Sequence, residues 1–67
     1  MPHFLLVYDT RERLFLRPIQ QFSRPAPATR AYEAAEAEFA DDPSIQVVLV
    51  AAQSLEDVKV THGNFFE

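Results

Sequence analysis

The 67 residues allow one domain spanning 1–67, and a chain this short buries only about 60% of its unfolded surface, so a lone monomer is marginal. The absence of cysteine excludes disulfides, thiolate metal sites and cysteine nucleophiles, and leaves His3 and His62 as the neutral metal ligands. A net charge of −4, divided as +3 over residues 1–30 and −7 over residues 31–67, argues against general affinity for nucleic acid.

The first predicted element is a strand from His3 to Tyr8, with Phe4-Leu5-Leu6-Val7-Tyr8 apolar on both faces. Asp9-Thr10-Arg11-Glu12 interrupts it, and an aspartate opening a tight turn can accept from the turn's own amides. A second strand follows at Arg13-Leu14-Phe15-Leu16-Arg17, closed by Pro18, which has no N–H for a ladder. With Tyr8 opposite Arg13 in this hairpin, Leu5, Val7, Leu14 and Leu16 share an aliphatic face. Phe4, Leu6, Tyr8, Arg13, Phe15 and Arg17 share the other. Residues 19–26 read as a connector.

A helix is expected from Pro27 to about Ala40, because Arg24 and Ala26 precede prolines and Pro27 suits a first helical position. Ala28, Ala31, Tyr32, Ala35 and Phe39 form its apolar stripe. Asp41-Asp42-Pro43 ends it. Ile45–Ala51 reads as a buried strand, β-branched and apolar on both sides. Ser54 is an N-cap candidate with Glu56 and Asp57 in the first turn. A short helix to His62 follows, with Gly63 as its left-handed terminator. Alternation in Val58-Lys59-Val60-Thr61 keeps a fourth strand open as the alternative.

The order is ββαβα: an α+β fold with a three-stranded antiparallel sheet of order 2-1-3, both helices on the aliphatic face, akin to a ferredoxin-like fragment. The other face then presents Phe4, Leu6, Tyr8, Arg13, Phe15, Arg17, Val48 and Val50 without a cover. An apolar patch of this kind is the strongest functional signal, and a homodimer packed sheet to sheet is the expectation. The competing possibility is that the terminal segment with Phe65 and Phe66 folds over that face.

No catalytic, metal or cofactor motif stands out. Thr61-His62-Gly63-Asn64-Phe65-Phe66 holds two ligand candidates, His62 and Asn64, although a histidine at a helix C-terminus more often serves the terminal carbonyls. His3 and Asp9 lie about 20 Å apart on one strand and cannot cooperate. Arg11, Arg13 and Arg17 around Phe15 suggest a nucleic-acid-reading ribbon, a pattern more often found as the protective rim of an edge strand.

The functional expectation is a non-catalytic homodimeric interaction module, with one specific protein partner as a further possibility. The alternatives are a small-molecule binder or small enzyme of the dimeric α+β barrel type, and a nucleic-acid or phage–host effector working through the arginine-rich hairpin. Met1-Pro2-His3 is not a signal-peptide start, and no apolar run approaches the roughly 20 residues that span a bilayer, so the expected setting is cytoplasmic.

His3-Phe4-Leu5-Leu6-Val7-Tyr8-Asp9, the alanine- and glutamate-rich helix and Thr61-His62-Gly63 together resemble short uncharacterised proteins of actinobacteria and their phages. The resemblance covers most of the chain. It implies a small α+β fold in the cytoplasm and carries no activity and no functional residue.

Overall fold

The computed structural model describes residues 1–66, the side chain of Asn64 excepted. The elements are β1 (His3–Asp9), β2 (Leu14–Phe15), β3 (Gln20–Phe22), α1 (Pro25–Glu38), β4 (Ile45–Ala51) and α2 (Leu55–Thr61), followed by a 3-10 turn at Gly63–Phe65. The fold is α+β, with an antiparallel sheet built around β1. β2 and β3 share one edge of β1, and β4 pairs with its whole length on the other.

The hairpin sorts its faces as the alternation requires, but its register differs. Tyr8 faces Phe15 rather than Arg13, and Asp9 faces Leu14. The loop is Thr10–Arg13, and Arg13 takes a left-handed φ of 59°. Asp9 causes the shift: its Oδ1 accepts from the backbone N–H groups of Arg11 and Glu12 at 2.9 and 3.1 Å, and its carbonyl accepts from Arg13 N–H at 2.8 Å. The aspartate thus caps the loop from the last position of the strand. A displacement by two residues keeps every side chain on its face.

The edge formed by β2 and β3 is broken. Leu16 N–H still donates to the Val7 carbonyl, but when pairing resumes with Gln20 opposite Leu5 the ladder has gained two residues. The interruption at Arg17-Pro18 is what a residue with no N–H produces in a ladder. β3, in the stretch read as a connector, is short and polar, and has no alternation to announce it.

α1 begins at Pro25, two residues before the sequence-based expectation, with Arg24 extended at its N-cap. Both Pro25 and Pro27 sit in the first turn, where missing N–H groups cost nothing, and Ala26 is helical although it precedes a proline. Ala28 and Ala35 are buried, with Ala31, Tyr32 and Phe39 half-buried along the expected stripe. Small side chains let the helix lie close against β1 and β4.

α2 is a helix, not a fourth strand. Ser54 caps it by accepting from Asp57 N–H at 3.3 Å. Gly63 does not terminate it in a left-handed conformation; the chain turns through His62 directly into the 3-10 turn.

The two helices take opposite faces of the sheet, which corrects the expectation that both would share one. Phe4, Leu6 and Tyr8 form a single cluster with Ala52, Val58 of α2 and Phe65. Phe15, Ile19, Val48, Val50, Leu55 and Phe66 pack around it. Leu5 and Val7 point the other way on the same strand and are equally buried, on the side of α1. The molecule is therefore three layers, α1, sheet, and the α2 segment, with β1 enclosed in the middle. Among the described residues, no helix is long and apolar enough to cross a membrane.

Candidate interaction surfaces

The aromatic face is the core of the protein. Leu6 is 0% exposed and Phe4 2%. Tyr8 meets Phe15 edge-on with ring centroids 5.1 Å apart and Phe65 at 4.9 Å, while Phe15 meets Phe66 at 5.3 Å. Such offset pairs each contribute about 0.5–1.5 kcal/mol beyond the area they bury. The expectation of an uncovered face is thereby corrected: the chain's own C-terminal segment lies over Phe4, Leu6, Tyr8, Phe15, Val48 and Val50. Phe65 and Phe66 were the sequence signal for this.

The other two members of that set leave it altogether. Arg13 is an exposed loop residue. Arg17, displaced by the break before β3, reaches the α1 side. There its guanidinium bonds Glu38 at 2.9 Å and stands 5.2 Å from the centre of the Phe39 ring. Arg11 pairs with Asp42 at 3.5 Å. Two of the three hairpin arginines are thus engaged by carboxylates of the same chain, leaving no continuous basic stripe across β2.

His62 is half-buried. Its Nδ1 lies 2.8 Å from the Thr61 hydroxyl, and its ring stacks on Phe65 with centroids 6.5 Å apart. It serves the aromatic cover rather than the helix-terminal carbonyls. The side chain of Asn64, the other ligand candidate, lies outside the described residues. Lys59 stands 5.7 Å from the centre of the Phe66 ring.

A polar corner ties the hairpin to the start of β4. Thr10 donates to the Ser44 carbonyl through its N–H at 2.9 Å and its hydroxyl at 2.7 Å. Asp42 Oδ1 accepts from the Ser44 hydroxyl at 2.6 Å and from its N–H at 3.0 Å. The Ser44 hydroxyl first, then its N–H, with Arg11 adding less, hold the Asp42 carboxyl below its ordinary value of 3.8. A carboxyl lowered on folding stabilises above its unfolded pKa and loses that contribution as pH falls through the folded value. Asp42→Asn keeps an acceptor for Ser44 but removes the titration. Its urea midpoint is expected to fall less than the wild type's between pH about 6 and pH about 3. Equal falls in the two proteins would contradict this.

The outer edge of β4 is a surface of a different kind. Ala52 N–H donates to the Pro2 carbonyl and Thr10 N–H to Ser44, so the even-numbered positions of this segment exchange hydrogen bonds with β1. The backbone groups of Ile45, Val47, Leu49 and Ala51 therefore point away from the sheet. Ile45 N–H turns back to the Asp42 carbonyl at 3.2 Å. The N–H groups of Val47, Leu49 and Ala51, and the carbonyls of all four residues, have no partner among the described residues. Side chains flank this row on both faces: Val48 and Val50 beside the aromatic cluster, Val47 and Leu49 on the α1 side, all half-buried. The strand read as buried from its composition is thus an edge strand.

The two edges of the sheet are managed in opposite ways. The β2/β3 edge carries short pairing segments, a proline, a two-residue break and an arginine at each side of Leu14-Phe15-Leu16. These are the usual protections against pairing with another chain. β4 pairs over seven residues and contains no charge, no proline and no bulge. No family model, curated protein or solved structure matches the chain.

Proposed function

We propose that the protein is a non-catalytic interaction module that takes up an extended segment of a protein partner along the outer edge of β4. The observation that carries this reading is the contrast between the edges. An apolar, unprotected strand of seven residues is an aggregation hazard unless something pairs with it in the working state. Strand addition supplies affinity through main-chain hydrogen bonds and specificity through alternate side chains, and β4 offers both elements. The half-exposed Val47, Val48, Leu49 and Val50 gain burial only from a neighbour on that side.

The interior favours this over the small-enzyme alternative, since α1 meets the sheet through buried alanines and the other face is filled with aromatic rings. The pairing of Arg11 and Arg17 with carboxylates weighs against the nucleic-acid alternative.

The test is selection from a displayed library of unstructured peptides against the wild type and against Leu49→Pro. That variant removes an outward-facing N–H at a position where an edge strand tolerates proline. Enriched peptides are expected to be proline-free and to alternate apolar residues. They should slow amide exchange at Val47, Leu49 and Ala51 but not at Val48 and Val50, and bind a folded Leu49→Pro at least about tenfold more weakly. Peptides that bind both proteins equally, or no enrichment at all against chain held too dilute to self-associate, would overturn the reading.

A further inference from the structure

We infer that the occupant of this edge is the same edge of a second copy, β4 against β4, antiparallel about a twofold axis through Val48. This rests on the strand-addition reading above and names its partner. The parity of the strand carries it. Outward-facing groups sit at Ile45, Val47, Leu49 and Ala51, so a twofold centred on Val48 sets Ile45 opposite Ala51 of the second copy, and Val47 opposite Leu49. Every outward-facing residue then stands opposite an outward-facing residue, and neither strand overhangs. Val47, Leu49 and Ala51 on each copy have acceptors across the axis. At each end the register sets Ile45 N–H toward the Ala51 carbonyl of the second copy. That N–H is already bound to Asp42 within the chain, so the terminal Ala51 carbonyl, on an exposed residue, is left to water and six cross-axis hydrogen bonds remain.

Side chains follow the same symmetry. On the aromatic face Val48 meets Val48 of the second copy, and Gln46 lies beside Val50. On the α1 face Val47 lies beside Leu49. Directly opposed β-branched and aliphatic residues are the pairs that stabilise antiparallel sheets, and the strand has no charge to place against its like.

The assembly also stops at two. Each copy uses its one open edge in the pair, and the far edges are the interrupted β2/β3 edges. Growth into a longer sheet is blocked where Pro18 and the two-residue break lie. The product is a single continuous sheet with both α1 helices on one face and both α2 segments on the other.

The experiment uses the full 67-residue chain. Sedimentation equilibrium from about 1 to 200 µM is expected to show the mass rising reversibly from 7.7 kDa to twice that value and no further. In an equimolar mixture of isotope-labelled and unlabelled chains, an intermolecular Overhauser effect is expected between the Hα of Gln46 in one copy and the Hα of Val50 in the other. That contact belongs to this register alone. A synthetic chain N-methylated at Leu49, with every side chain intact, is expected to dimerise at least about tenfold more weakly.

A mass of one chain throughout the range, or a dimer lacking the Gln46–Val50 contact, would overturn the second copy as occupant. If library peptides then still protect Val47, Leu49 and Ala51, the strand-addition reading survives without it. If they do not, both fall. The Overhauser measurement needs no variant, so it decides the matter even if the methylated chain folds poorly.

Discussion

Leu6→Ala is expected to lower stability by about 2–5 kcal/mol, the range for removing a fully buried leucine and leaving part of the cavity unfilled. Leu6 is 0% exposed at the middle of β1, opposite Val48 and inside the cluster that joins the sheet to α2. A domain of this length carries about 3–10 kcal/mol in total, so one substitution removes from a fifth of it to all of it. With a denaturant slope of about 1 kcal/mol/M for a small domain, the urea midpoint should fall by about 2 M or more. Leu16→Ala provides the contrast: Leu16 is 41% exposed, and its loss should cost only about 0.5 kcal/mol. The proteins must be compared at one concentration, because any self-association adds to apparent stability. A Leu6→Ala midpoint no lower than that of Leu16→Ala would refute the placement of Leu6.

The second large effect is expected at the far end of the chain. Phe65→Ala should cost about 3–5 kcal/mol, and the loss should fall on the C-terminal segment first. α2 has seven residues, and only Val58 of them is fully buried. A helix of that length does not persist in water without packing. Phe65 supplies that packing through Tyr8, 4.9 Å away, and its removal opens the layer over Phe4, Leu6 and Tyr8. Binding of a hydrophobic dye should rise and the near-ultraviolet signal of Tyr8 should weaken, while the amides that bond β1 to β4 stay protected from exchange. Loss of protection at α2 and at the β1–β4 ladder together would instead mean that the segment and the sheet unfold as one unit.

The parts legible in the sequence were those with a repeating pattern. Alternation placed Leu5 and Val7 on one face and Phe4, Leu6 and Tyr8 on the other, and survived a register error because the error was an even number of residues. The error came from Arg13, whose left-handed backbone has no glycine to signal it, and from Asp9, which stays in the strand while its carboxylate closes the loop. The alanine stripe of α1 and the Ser54 cap were local signals and kept their places.

What was not legible depends on which layer a segment joins. Phe4, Leu6 and Tyr8 need a cover, and a pattern of apolar residues does not say whether that cover comes from Phe65 and Phe66 or from another molecule. β4 presents the converse difficulty. Val47, Val48, Leu49 and Val50 are apolar on both faces because a layer lies on each side. Side-chain composition reports the faces of a strand and is silent about its edges. The candidate site therefore lies in the backbone of Ile45, Val47, Leu49 and Ala51, whereas the side-chain pattern points to their neighbours Val48 and Val50.

The β1–β4 seam has a consequence for how fast the fold forms. Everything on the other side of β1 is local: a four-residue loop brings Leu14 to Asp9, and β3 follows within a few residues. The seam instead joins Asp9 to Ile45 and His3 to Ala51, the most distant pairing in the structure. Closing so large a loop must precede any of the hydrogen bonds that reward it. α1 shortens the search by converting 14 of the 35 residues between the two strands into a rod before the ends meet. Refolding should therefore be a single slow closure, with a rate that responds to the helix propensity of exposed positions such as Thr29 and Ala34 and hardly at all to the hairpin loop.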